Sequence, residues 1–198
     1  IPDPTAYYGI RYEVTAPVHG IVIDTSAAEF QSLAQGETMD VSFSYNVTDG
    51  TVTTPAQAIF TVIGTNDAPV VSAAVVATVA EDAPVTTVDA LANASDVDHG
   101  AVLSVVDVPA VLPPGITYDA ATHSFSINPA DPAFQSLAQG EMHTYAVSYG
   151  VSDGIATTMT SVNFTVIAYL IVISGQNVMN GYRDDHSTII IFSLTVLL

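Results

Sequence analysis

Residues 30–63 open on FQSLAQGE, pass through SYNVTDG and close on FTVI; residues 134–167 open on FQSLAQGE, pass through SYGVSDG and close on FTVI. Phe30 recurs as Phe134, Gly36 as Gly140, Tyr45 as Tyr149, Asp49 as Asp153, Gly50 as Gly154 and Phe60 as Phe164, all at one offset without a gap. Self-similarity of this kind marks a copied structural unit. A chain of 198 residues suits one large domain or two smaller ones. The repeat favours two.

The pattern inside the block is that of strands. Val41, Phe43, Tyr45 and Val47 alternate with Ser42, Ser44 and Asn46, as in a strand with one buried face. Asp49-Gly50 is a reversal signal, because Gly accepts positive φ. Residues 56–63 return with Ala58, Phe60 and Val62 on one face. Residues 26–36 are mixed and fit a short helical turn or a wide loop. Upstream, residues 7–15 and 19–24 are short β-prone runs. Gly64, Thr65, Asn66, Asp67, Ala68 and Pro69 then stop both helix and central strand, which marks a boundary.

The second unit is longer. Apolar runs at 70–79, 85–88, 102–108, 116–118, 124–127, 142–151 and 157–167 amount to seven short strands, the density of a β-sandwich. A long helix has no place in either unit. In the first unit only GIRY at 9–12 resembles anything before the block, namely GITY at 115–118, and nothing upstream answers to the strands before Leu112. The first unit is therefore expected to lack its opening strands, exposing an edge and part of a core. The expected division is a partial repeat at 1–65, an acidic linker at 66–69, a sandwich at 70–168 and a divergent apolar tail at 169–198. The last apolar run is about half the length of a membrane-spanning helix, so no membrane span is expected. The chain starts without Met and reads as a piece of a longer protein.

Charge narrows the partners. Twenty acidic residues face two basic ones, for a net charge of −18, which repels phosphate backbones and anionic lipid and makes a nucleic-acid partner untenable. An apolar fraction of 49% with mean hydropathy +0.44 argues against acid-driven disorder. Such a chain suits high ionic strength, where repulsion is screened, or divalent cations that neutralise carboxylates directly. Without cysteine there is neither a disulfide nor a thiolate metal site. The histidines His19, His99, His123, His143 and His186 lack metalloprotease spacing, and no serine sits in a GxSxG elbow. No enzyme is expected.

The combination FQSLAQGE, F-x-Y-x-V-x-DG and FTVIGTNDAP resembles the VCBS and bacterial cadherin-like repeats of large bacterial surface proteins and adhesins. The likeness includes Glu81-Asp82, Asp96-Val97-Asp98 and Val151-Ser152-Asp153-Gly154. It covers nearly a full repeat over 70–167 and the later two-thirds of one over 9–69. The resemblance implies an all-β fold of tandem immunoglobulin-like (cadherin-like) antiparallel sandwiches, the first incomplete, in a secreted or cell-surface rod with calcium between domains. It departs from the family in that the first unit lacks the early acidic positions and the last lacks the NDAP exit linker.

Calcium takes six to eight hard oxygens from carboxylates, amides, backbone carbonyls and water. The residues with that chemistry lie at turns. In an extended segment Asp96 and Asp98 would share a face, and carboxylates so close repel unless a cation lies between them. The resemblance implies that Glu81, Asp96 and Asp98 meet Asn66 and Asp67 at the interdomain junction, with Asp153 as a sixth ligand and Asp49 as its counterpart in the first unit. A plainer account competes: Asp and Asn favour turns because they bond locally to the backbone. The expected function is a calcium-binding, stiffened spacer in adhesion, with neighbouring repeats of a larger chain as partners. The alternatives are a module for a cell-surface protein or glycan ligand, using Tyr7, Tyr8, Tyr118, Tyr145 and Tyr149, and a calcium-independent spacer.

Overall fold

The computed structural model describes residues 9–13, 20–168, 173–174 and 193–194. Strands β1 (Ile10–Glu13) and β2 (Gly20–Ile23) form one hairpin; β3 (Thr38–Thr48) and β4 (Thr53–Ile63) form another, with a single helical turn α1 (Ala28–Gln31) between them. There follow β5 (Val70–Val71), β6 (Val75–Ala80), β7 (Thr86–Asp89), β8 (Ala94–Ser95), β9 (Ser104–Val106), β10 (Ile116–Asp119), β11 (Ser124–Ile127), β12 (Met142–Ser152) and β13 (Thr157–Ile167). Beyond Ala168, β14 (Ile173–Ser174) pairs with β15 (Ser193–Leu194). His19, His186, Tyr7, Tyr8 and the rest of the tail lie outside the described residues.

The C-terminal unit is a sandwich. One sheet has the order β10-β11-β7 and the other β6-β13-β12-β9, with the short pair β5-β8 beside them. All pairs are antiparallel except β6 with β13, where Val75 lies opposite Val162 and Ala80 opposite Ile167. The parallel pair is a departure from the purely antiparallel expectation. It arises because the first long strand of the unit lies alongside the last, running the same way. The run at 70–79 is broken into β5 and β6, and that at 102–108 is reduced to three paired residues. Loops with Pro, Gly and Asx residues take up the remainder.

The alternation seen in the sequence becomes the core. Phe125, Ile127, Phe134, Tyr149, Val151, Val162, Phe164 and Val166 are wholly buried. Tyr118, Phe125 and Tyr149 form a run of rings with centroids 4.8 and 5.2 Å apart, and Phe134 meets Tyr145 edge-on at 5.2 Å. Tyr118, Tyr145 and Tyr149 are thus spent on packing, in tilted and edge-on pairs that add to the area they bury. Gly115 has φ +70°, and a Cβ there would come within 2.5 Å of the Phe134 ring, so glycine is required at this turn.

Tyr149 carries a titratable group into that core. Its hydroxyl donates to the Ala90 carbonyl at 2.7 Å, and burial, then Asp89, then Tyr118 push the phenol up to about 12. A raised folded pKa means stability fully present below the unfolded value near 10 and lost as pH climbs toward 12. About 3 kcal/mol should disappear across that window. Urea unfolding at a series of pH values from 9 to 12 reads this directly, and Tyr149→Phe should flatten the alkaline slope.

The N-terminal unit has its own cluster, in which Ile10, Phe30, Leu33, Val41 and Phe43 are buried against Ile21, Ile23, Met39, Phe60 and Val62. Its two hairpins correspond to β10-β11 and β12-β13. Among the described residues, nothing here corresponds to β6, β7 or β9. The consequence is visible in matched residues: Tyr45 is 37% and Val47 55% exposed, whereas Tyr149 and Val151 are wholly buried. A local sequence difference follows the same cause. Gly150 lies under β9, where a Cβ would come within 2.8 Å of Val106; beside its counterpart Asn46 no third strand pairs with β3 among the described residues.

Candidate functional site

The acidic positions fall at two places in the C-terminal unit. At the tip of the β12-β13 hairpin, Asp153 Oδ1 accepts the backbone N–H groups of Ile155 and Ala156, both at 2.7 Å. Its Oδ2 accepts the Asn66 amide at 2.9 Å. Next along the chain, the Asp67 backbone N–H donates to Asp98 Oδ2 at 3.0 Å, and the Asp98 N–H donates to Asp96 Oδ1 at 2.9 Å. Asp153, Asn66, Asp67, Asp98 and Asp96 therefore form one linked chain of groups around the connection between the units. Thr158 secures that connection by donating to the Pro69 carbonyl at 2.5 Å.

Two oxygens in this chain are left over. Asp98, only 8% exposed, has Oδ1 buried without a hydrogen-bond partner, and Asp96 Oδ2 is in the same condition. A buried carboxylate oxygen with no donor is costly, since desolvation is not compensated. A hard cation would satisfy such oxygens, and Asn66 and Asp67, tied into the same chain of hydrogen bonds, carry further amide, carboxylate and carbonyl oxygens. The residues present fit calcium in kind. Among the described residues no three His, Cys, Asp or Glu side chains are gathered closely enough to hold a metal by themselves. A cation would need amide, backbone or water oxygens to complete its shell.

Glu81 does not join this group. It follows β6, and its backbone N–H donates to the Ile167 carbonyl at the far end of β13. Thr158, which holds Pro69, stands near the start of that strand. At about 3.3 Å per residue the two ends are roughly 30 Å apart. The expectation that Glu81 meets Asn66 and Asp67 therefore fails, because β6 runs parallel to β13 and carries Glu81 away from the linker. Among the described residues its Oε2 is nevertheless buried without a hydrogen-bond partner.

Asp153 and Asp49 have a turn role that is visible in their bonds. The Asp153 carboxyl is held below its ordinary range by the Ala156 and then the Ile155 N–H, and Asp49 likewise by Val52 and then Thr51. That stability is present above the ordinary Asp pKa and is lost as pH falls through the lowered value. For Asp153 the turn and the tie to Asn66 coexist. Asp153→Ala should cost about 1 kcal/mol in the C-terminal unit and loosen the connection. Two-dimensional NMR would register the latter as shifted Asn66 side-chain amide resonances.

Other contacts at the connection had no sequence signal. The His99 backbone N–H donates to the Ser32 carbonyl at 2.9 Å, and the His99 Nδ1 lies 3.3 Å from Glu37 Oε2. Glu37 also accepts the Ala34 N–H at 3.0 Å, as Glu141 accepts Ala138 at 2.8 Å in the second copy. The repeat explains the loop contact; only the placement of the two units reveals the second one. His99 is thereby occupied in a contact between units. His123 has φ 50° and closes the β10-β11 turn, its carbonyl accepting the Ala90 N–H.

A two-sheet, all-β module joined through an acidic linker defines the cadherin-like class of sandwich. The cadherin-like domain family matches residues 65–167, more than half of the chain, and the chain belongs to that family. No curated protein matches. Solved structures that the chain matches include protocadherin gamma C5 EC1-3 (14% identity, TM-score 0.48, 84% of this chain and 54% of that one). Mouse cadherin-23 EC22-24 is 13% identical with TM-score 0.47, over 84% of this chain and 51% of that one. An endo-fucoidan hydrolase of glycoside hydrolase family 107 matches at 19% identity and TM-score 0.38, over 73% of this chain and 20% of that one. The chain thus spans from a fifth to about half of the solved chains named here. No helix among the described residues is long and apolar enough to cross a membrane, which says nothing of β-barrels.

Proposed function

We propose that this chain is a calcium-binding repeat segment of an extracellular or cell-surface protein, of the VCBS type, acting as a stiffened spacer in adhesion. The observation that carries the reading is the pair of buried, unpartnered oxygens on Asp96 and Asp98 beside the linker. In this reading Asp96 and Asp98 hold the cation, Asn66 and Asp67 complete it from the linker, and Asp153 positions Asn66. Glu81 serves a separate cation position at the other end of the unit. Calcium supplies the positive charge that lets the carboxylates lie together, and this joins the units' relative orientation to cation binding. Neighbouring repeats of a longer chain are the partners.

Small-angle scattering with and without calcium tests the reading. Calcium should narrow the distribution of end-to-end distances. An identical scattering curve in millimolar calcium and in chelator would sink the stiffening role. The second reading, a calcium-independent spacer, is favoured by the direct bonds Asn66–Asp153, Asp67–Asp98 and Ser32–His99. It requires the connection to be equally stiff without the cation.

A further inference from the structure

Among the described residues, the N-terminal unit presents an open strand edge with a groove beside it. Gly64 donates its N–H to Glu37 and accepts from Gly36, so both its backbone groups face β3. By strand alternation the N–H and C=O groups of Ile59, Thr61 and Ile63 point away from β3, to the outer edge. Pro55 lies in the same outward row, opposite Asn46, so its missing N–H removes nothing from the β3-β4 ladder. Next to this edge is a groove of about 430 Å³, whose lining includes Ile23, Phe30, Phe60 and Val62.

The second copy shows what such an edge accepts. The β13 residues that match Ile59, Thr61 and Ile63 are Asn163, Thr165 and Ile167, and these lie against β6. There Val75 and Val79 are each 6% exposed and Phe164 and Val166 are wholly buried; in the first copy Phe60 and Val62 are only half-buried. We propose that β4 is an acceptor for a donated strand: an extended segment with the alternation of Val75–Ala80, from a repeat-type sequence, running parallel to β4. Its two inward valines would fill the groove, and its backbone would take up the outward groups of Ile59, Thr61 and Ile63. The β3 edge is excluded from the proposal, because Asn46 stands where Gly150 makes room for β9.

The test uses the full chain and a lysine-flanked peptide with the sequence of Val75–Ala80, read by residue-resolved hydrogen exchange. Saturating peptide should slow exchange at Ile59, Thr61 and Ile63 by about tenfold or more and leave Asn163, Thr165 and Ile167 unchanged. A peptide with Val75→Asp and Val79→Asp should have no effect. Thr61→Pro removes one outward N–H without touching the β3-β4 ladder, and should weaken the peptide's effect while the Tyr149 core stays protected. The proposal is overturned if the peptide protects none of the three amides. It is also overturned if they are protected without peptide in a concentration-dependent dimer, which would make a second copy the occupant.

Discussion

In 10 mM calcium the C-terminal unit is expected to melt about 10 °C or more above its temperature in chelator. Extracellular calcium modules bind with constants of about 10⁻⁴ to 10⁻³ M. At about a hundredfold excess over the dissociation constant, linkage supplies roughly 2.7 kcal/mol, and each kcal/mol moves the midpoint of a domain of this size by about 4–8 °C. The sharper expectation is a reversal. Asp96→Asn with Asp98→Asn keeps the oxygens that accept the Asp98 and Asp67 N–H groups while removing two charges that face no cation partner in chelator. The double variant should therefore be as stable as the parent, or more so, in chelator, and clearly less stable in calcium. Calorimetry under the two conditions decides it: parallel curves for parent and variant would remove Asp96 and Asp98 from any cation site.

Tyr149→Ala should cost about 4 kcal/mol, the middle of the range for deleting a buried aromatic ring. The ring is wholly buried against Phe125, and its hydroxyl holds the Ala90 carbonyl. The change leaves both a cavity and an acceptor without its donor. Tyr45→Ala alters the matching residue of the other copy, within the same local sequence, and should cost less than about 1 kcal/mol. Tyr45 is 37% exposed and stacks loosely on Phe43, with centroids 6.3 Å apart. Chemical unfolding followed separately in each unit would measure the contrast. Equal costs would mean that the N-terminal unit is covered as completely as the C-terminal one.

That contrast shows where the sequence was legible. Alternation and the Asp-Gly turns located the two long hairpins, because side-chain period and reversal chemistry are local properties. The bend in residues 26–36 resolved into one helical turn, which its mixed pattern left open. The acidic residues were legible as a set, since turns concentrate them. Their grouping was not. Asp96, Asp98, Asn66, Asp67 and Asp153 gather at one end, while Glu81, the residue directly after β6, is carried to the other.

The sequence by itself determined the all-β class, the duplicated hairpin, the missing early pattern in the first unit and the acidic residues at the turns. Each is written in spacing or composition. Only the tertiary structure decided which copy of a residue is buried, which edge is unpaired among the described residues and which carboxylates are linked by hydrogen bonds. Tyr45 and Tyr149 sit in nearly identical local sequence, and what separates them is strands far away along the chain. Likewise, the direction of β6 against β13 decides the place of Glu81, and strand direction is a property of the assembled sheet.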